Sequence, residues 1–505
     1  MDGLWTTWIE KGVKVGEAGY RKGMRHGQWL IWSDEGILIC ENENMSYRLN
    51  LKWWSAEDVV LRLMMVLVFS GYFLTANSQP ESELLQGRIR GEVLNSEEKS
   101  LELYKWLHQN PELSGMERET SARMASELRE LGFETTTGVA GFGVVGVFRN
   151  GEGPVLMLRT DMDALPISEV TGLEFASRKV MKNEQGESFP VMHACGHDMH
   201  MTVWLGVLKT LVELRNSWKG TILAVAQPAE ETGKGARAMI DDGLFKRFPV
   251  PDMALCYHVN PTLPAGVVGY IPGPAFAGST SAGITIHGIG GHGATPHKAI
   301  DPVVIAAETI MGIQTIVSRT INPVEPAVIT VGSVHGGTKN NIIPDQVNMQ
   351  LTIRYFSEEV HHQILKSLVT LANGIALSSG LPADKMPDMV FGENQTPPLY
   401  NDPDLVARTV ASMQSMLGKE NLELVAPTTI SEDFGRYGKT EEKIPVSLFW
   451  LGAVSREAHE KSSREGKILP MLHSPEFYPD FSLTYQTGVS AMTIACLDLF
   501  NSRQP

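Results

Sequence analysis

His193-Ala194-Cys195-Gly196-His197-Asp198-Met199-His200 packs three histidines, a cysteine and an aspartate into eight residues. An apolar run from about Met201 to Leu214 follows and reads as a helix. Before the cluster, Gly143–Phe148 and Val155–Leu158 read as strands; after it, Thr221–Ala226 and Met253–Tyr257 do, with a helix over Ala236–Gly243 between them. Strand and helix alternating in this way specify an α/β fold with a mostly parallel central sheet flanked by helices. So many metal-type donors are costly to bury without a partner, and a divalent metal suits them.

Working outward, three of these strands run into chemistry. Val155–Leu158 leads to Asp161 and Asp163, Thr221–Ala226 to Glu230 and Glu231, and Met253–Tyr257 to His258. Parallel strands share one carboxyl edge, where ligands bind, so the topology gathers these groups at one crevice. Cys195, His197, His258, Glu231 and the distant His473 are donors for hard-to-borderline divalent cations. A metal with an open position lowers the pKa of its water towards ~7 and polarises a carbonyl. A Glu-Glu dipeptide then offers one carboxylate to the metal and one as a free base. Adjacent glutamates otherwise mark a solvated loop, but these end an apolar strand and follow Pro228. His193 and His200 read equally well as hydrogen-bonding packing residues and stay out of the ligand set.

The texture changes after Ala277–Ser281. A strand at Ile284–Gly288, a helix at Asp301–Arg319, strands at Ala327–Val334 and Gln346–Tyr355 and a helix at Ser357–Ala376 make a βαββα unit. At roughly 110 residues it is the size of a small domain. Pro272-Gly273-Pro274 and Thr396-Pro397-Pro398 flank it like hinges, and the α/β texture returns after Asp402. The chain therefore divides into a catalytic domain at 96–278 and 396–505 and an inserted α+β domain at 281–394. Amphipathic helices over Glu97–Leu107 and Glu117–Leu131 open the first part.

Residues 1–45 repeat: Gly3-x-Trp5-x-x-Trp8-x3-Gly12 recurs as Gly27-x-Trp29-x-x-Trp32-x3-Gly36, offset by 24. Alternating tryptophans and turn glycines predict short β-hairpins, and the pattern resembles MORN-like repeats. Within residues 59–78 the apolar run Leu63–Leu74 falls short of the ~20 residues of a spanning helix. Arg62, that run and Ala76-Asn77-Ser78 have the layout of a signal peptide, displaced from the chain's start. An internal translation start, an uncleaved anchor giving membrane association through 59–76, and a buried helix all remain open. The protein is exported or membrane-anchored if 59–78 functions so, and cytoplasmic otherwise. Residues 79–95 are polar, include Pro80 and read as a linker.

A net charge of -15 argues against nucleic acid as a partner, which needs a basic face. The four cysteines, at 40, 195, 256 and 496, form no close pair, so neither a disulfide framework nor a Cys-only zinc site is indicated.

Five motifs in order carry a family resemblance: Asp161-Met-Asp163-Ala-Leu-Pro, His193-Ala-Cys195-Gly-His197-Asp-Met-His200, Gln227-Pro-Ala-Glu230-Glu231, Gly290-Gly-His292-Gly-Ala-Thr-Pro-His297 and His473-Ser-Pro-Glu-Phe477. Residues 95–500 resemble the metalloamidohydrolases that include hippurate hydrolases, N-acyl-amino-acid amidohydrolases and auxin-conjugate hydrolases, within the aminoacylase and zinc-carboxypeptidase superfamily. The resemblance implies hydrolysis of an N-acyl amino acid at two divalent ions per subunit, zinc or manganese foremost, with cobalt or nickel also suited. It implies Cys195, His197, Glu231, His258 and His473 as ligands, Glu230 as general base and Asp163 as the group orienting a ligand imidazole. The inserted domain becomes a ferredoxin-like lid through which a homodimer forms. On it His292 would stabilise the oxyanion, while Asn341 and Arg354 would bind the substrate's amide and carboxylate. A dipeptidase or carboxypeptidase of the same superfamily is the alternative, and a silent metal- or metabolite-binding protein a remote one.

Overall fold

A computed structural model describes residues 81–501 apart from 184, 393 and 394, together with the backbone of four strands within residues 3–42. Those strands, Gly3–Trp8, Lys14–Arg21, Met24–Trp32 and Leu38–Asn42, pair in order as an antiparallel sheet. Gly3–Trp8 of the first repeat copy and residues 27–32 of the second fall on its first and third strands, while Gly12 and Gly36 lie outside the described residues. The 59–78 segment lies outside the described residues. Among those described, no helix is long and apolar enough to cross a membrane.

The second unit is built on an eight-stranded sheet. Four neighbours at its centre are parallel: Val446–Val454, Met253–Pro264, Val155–Asp161 and Thr221–Gln227. Their residues alternate between two cores. Leu156, Leu158, Ile222 and Ala224 face one side, and Met157, Leu223 and Val225 the other. Both faces are thus covered, which is why these strands read as continuous apolar runs. Gly143–Arg149 adds antiparallel to Thr221–Gln227 at one side. His197–Glu213 and Phe481–Asn501 pack on one face.

Three sequence boundaries shift. The linker reading of 79–95 fails from residue 81, because Glu81–Gln109 is one helix. Ile89 and Val93 stand four apart, as helix neighbours do, and are buried with Leu103, Tyr104 and Leu107 in the main core. The surrounding polar residues masked that stripe. The helix expected from Met201 starts at His197, set off by a left-handed Gly196 with φ +78. A Cβ on Gly196 would lie 2.6 Å from Val259 Cγ2, so the close approach there requires glycine. His258 does not follow its strand but lies inside it, since Met253–Pro264 continues past it.

The inserted segment forms a four-stranded antiparallel sheet in the order Ala327–Gly336, Gln346–Tyr355, Gly278–His287, Asp388–Phe391, with helices Pro302–Thr315 and Glu358–Ser378. This is the ferredoxin-like order. It adds a last strand, Asp388–Phe391, too short to stand out in the sequence. The two crossings run side by side, Gly273–Phe276 pairing with Leu399–Asn401.

One buried ion cluster ties the first long helix to the helix of the metal-type cluster. His108 Nδ1 lies 2.6 Å from Asp198 Oδ2, and its Nε2 lies 3.0 Å from Glu169 Oε1. Burial lowers the His108 pKa, but hydrogen bonds and charges from Asp198 and Glu169 outweigh it and push it up to about 9. The folded value exceeds the usual 6.5, so this contribution is fully present below about pH 6.5 and is lost as pH rises through about 9. Its size is on the order of 3 kcal/mol. Urea unfolding between pH 6.5 and 9 should therefore show falling stability in the wild type and a shallower fall in His108→Gln. Parallel slopes would remove the charge from this cluster.

Candidate metal centre

The parallel strands bring the sequence-distant groups to one edge. Gln227 pairs with Asp161 across the sheet, and Leu255 with Leu158, which puts His258 level with Asp161. The start of the His197–Glu213 helix adds Cys195 and His197 above that edge. Donor atoms of Cys195, His197 and His258 lie within 4.8 Å of one another, as do those of Cys195, Glu231 and His473. Two triads that share the Cys195 thiol would suit two cations held side by side. Glu230 stands beside both, its Oε2 3.9 Å from His197 Nε2.

The imidazoles are oriented by their far nitrogens. His258 Nδ1 donates to Val259 O at 2.8 Å, leaving Nε2 3.5 Å from Cys195 Sγ. His197 Nδ1 donates to Asp163 O at 2.8 Å, so Asp163 orients this ring, partly through its backbone. Asp163 Oδ2 accepts from Ser114 Oγ at 2.6 Å and from Glu231 N–H at 2.9 Å. Glu117 Oε1 accepts from the N–H of Ala229, whose φ of +54 is rare for a residue with a side chain. Two buried carboxylates thus hold the turn that aims Glu230 and Glu231. His200 is fully used elsewhere: Nδ1 donates to Asp161 Oδ1 and Nε2 accepts from Val259 N–H, both at 2.8 Å. It is a packing residue, while His193 is buried with neither ring nitrogen bonded.

The residues fit cations. His197 Nε2 and Glu231 Oε1 are buried without a hydrogen-bond partner. Burial lowers the His197 pKa, but Asp161, Asp163 and Glu231 override it and push it up to about 10. The surrounding carboxylates thus favour a positive charge at His197. Burial, then Glu432, Glu231 and Asp433, hold Glu230 well above the usual carboxylate range. A pocket this rich in carboxylates is balanced by divalent ions.

Arg159, Glu432 and Asp433 belong to this centre and were not singled out in the sequence. Arg159 is buried and bonded to Asp161, Glu432 and Asp433 at 2.7–3.0 Å. Ser431-Glu432-Asp433 follows a loop rather than an apolar strand, so no strand-end signal marks it; only the acidic doublet itself resembles Glu230-Glu231.

A cleft of about 610 Å³ opens from the ligands to the inserted sheet, where Ser279, Thr330, Thr352 and Arg354 line it. The Arg354 side chain is half-buried and has no hydrogen bond or ion pair among the described residues. His292 and Asn341 are brought to each other, with Gly293 N–H donating to Asn341 O at 2.9 Å, but both are exposed and neither lines this cleft.

The profile of peptidase family M20/M25/M40 matches residues 157–465. N-acetyl-L-cysteine deacetylase of Bacillus subtilis is 36% identical over 70% of this chain and 80% of its own. Thermostable carboxypeptidase 2 of Saccharolobus solfataricus is 34% identical over 78% and 93%. The crystal structure of the Bacillus subtilis YXEP protein, a dinuclear metal binding peptidase from the M20 family, superposes with a TM-score of 0.65 at 27% identity, covering 80% of this chain and 98% of that one. With two divalent ions as the cofactor that its donor set fits, the chain belongs to peptidase family M20/M25/M40 and is a metal-dependent amidohydrolase.

Proposed function

We propose that this chain hydrolyses the amide bond of N-acyl amino acids, releasing a carboxylic acid and a free amino acid. The observation that carries the reading is the Arg354 guanidinium, without a side-chain partner among the described residues, lining the same cleft as the ligand cluster. A half-buried guanidinium with free donors is a receptor for a carboxylate. Cys195, His197, Glu231, His258 and His473 would hold the two ions, zinc or manganese, with cobalt or nickel compatible with the same donors. When bound, the ions supply Lewis acidity, making water acidic enough to attack near neutral pH and polarising the acyl carbonyl. Glu230 takes the proton of the attacking water and returns it to the departing nitrogen. Arg354 holds the carboxylate of the amino-acid half.

A homodimer through the lid belongs to the same reading. The helix Pro302–Thr315 leaves Val303, Val304 and Met311 in solvent, an apolar face that a second copy covers. His292 stands away from this chain's own cleft, so its oxyanion role needs lid movement or a second chain. Light scattering measures that association. A carboxypeptidase reading is favoured by the Saccharolobus relative and shares the Arg354 carboxylate site; rates on acyl-amino acids against dipeptides separate the two.

Chelator treatment tests the reading directly. Hydrolysis of benzoyl- and acetyl-amino acids should vanish in the metal-free protein and return on adding Zn²⁺ or Mn²⁺. Undiminished hydrolysis without metal would sink it.

A further inference from the structure

Next to the cleft lies a second groove of about 490 Å³. Its apolar walls come from Leu263, Leu424, Ile430, Trp450, Met471 and Leu472. Leu424 is 64% exposed, Ile430 48% and Met471 47%, a cost in exposed apolar surface concentrated in one place. Leu263 and Trp450 belong to the core, but Leu424, Ile430 and Met471 belong to no core cluster among the described residues.

The groove adjoins the cleft that holds the centre, with Ile430 as the residue they share. Asn260 on its wall lies two residues past His258, and Leu472 immediately precedes His473. The Trp450 ring sits 5.2 Å from that of His258 and stacks at 4.8 Å on Phe276, which lines the cleft. The inserted sheet, by contrast, offers the cleft three hydroxyls and the Arg354 guanidinium, with Val328 as its one apolar side chain there. An amide seated at the ligands has one charged half and one acyl half. The charged half is drawn to Arg354, which leaves the apolar groove for the acyl group.

We propose that this groove receives the acyl group and selects a large apolar one, a medium-length alkyl or an arylalkyl chain, over acetyl. An acetyl methyl is too short to leave the centre and gains nothing from these walls. The inference rests on the acyl-amino-acid reading and names its substrate class. A chain covered on one side gains roughly 2-fold per methylene, about half of the full-burial effect, so six added methylenes give roughly 50-fold.

The test measures kcat/KM of the zinc-loaded, full-length protein for acetyl-, hexanoyl- and octanoyl-amino acids sharing one amino acid. The expected result is a rise with chain length to roughly 50-fold for octanoyl over acetyl. A Leu424→Ser/Met471→Ser variant, changed only at solvent-exposed positions, should lose most of that ratio. Acetyl turned over as well as octanoyl overturns the inference while leaving amide hydrolysis standing; no turnover of any acyl-amino acid overturns both. A ratio unmoved by the double variant also overturns it, and a changed sedimentation mass in that variant would assign the groove to a second copy of the chain instead.

Discussion

Glu230→Gln should lower kcat by roughly two to four powers of ten while leaving the metal content intact. The side chain is nearly isosteric, so the turn after Gln227 keeps its shape. That turn is held from outside, by Glu117 on the Ala229 N–H and Asp163 on the Glu231 N–H. What the amide cannot do is carry a proton from water to the departing nitrogen. Glu230 is buried, with donor atoms within 4.8 Å of Glu432 and Asp433, on the acidic side of the centre, whereas Glu231 faces Cys195 and His473. On the proposed reading Glu230 is the base and Glu231 the ligand. Glu231→Gln should act differently, with metal lost along with rate. Turnover and metal content measured together decide it. Retained turnover in Glu230→Gln rejects the base, and metal loss in that variant would exchange the two roles.

Much of this centre could be read before any coordinates because its donors sit where apolar runs stop. Asp161, Glu230 and Glu231 were legible in that way, since a parallel sheet turns sequence-distant strand ends into neighbours. His258 carries a weaker strand-end signal: it lies within a strand that continues to Pro264, where its level with Asp161 matters more than any strand end. Arg159 was invisible because its partners Glu432 and Asp433 lie 273 and 274 residues away. No periodicity records such a pairing. His292 and Asn341 show the opposite limit. Their motif was legible, yet the fold of one chain sets them together on the lid and outside the cleft. The linker reading failed because a helix with a narrow apolar stripe, Ile89 and Val93 among polar residues, resembles a solvated segment until its packing partners are known.

Arg159→Met should be the most destabilising single substitution near the centre, costing about 3–5 kcal/mol. The guanidinium is buried, and its donors reach Gln227 Oε1 at 3.0 Å, Asp161 Oδ2 at 2.7 Å, and Glu432 Oε1 and Asp433 Oδ1 at 3.0 Å. Methionine fills much of the space but leaves three carboxylates without their cation. Burial already pushes Glu432 up to about 7 against the pull of Arg159. Without that pull the acids escape by taking protons, and doing so becomes harder as pH rises. The loss should therefore be larger at pH 8 than at pH 5, as measured by urea unfolding of both proteins. Adding Glu432→Gln and Asp433→Asn to Arg159→Met should recover part of the stability, because neutral amides need no counter-charge. The same cation also acts at a distance on the metal ligands. Arg159 fixes Asp161, Asp161 accepts from His200, and His200 accepts the N–H of Val259, the residue after His258. Metal affinity should fall with stability in Arg159→Met, and Arg159→Lys, which keeps the charge but not the fork, should fall between the two. A loss below about 1 kcal/mol at pH 8 would mean that these acids are already neutral in the folded protein.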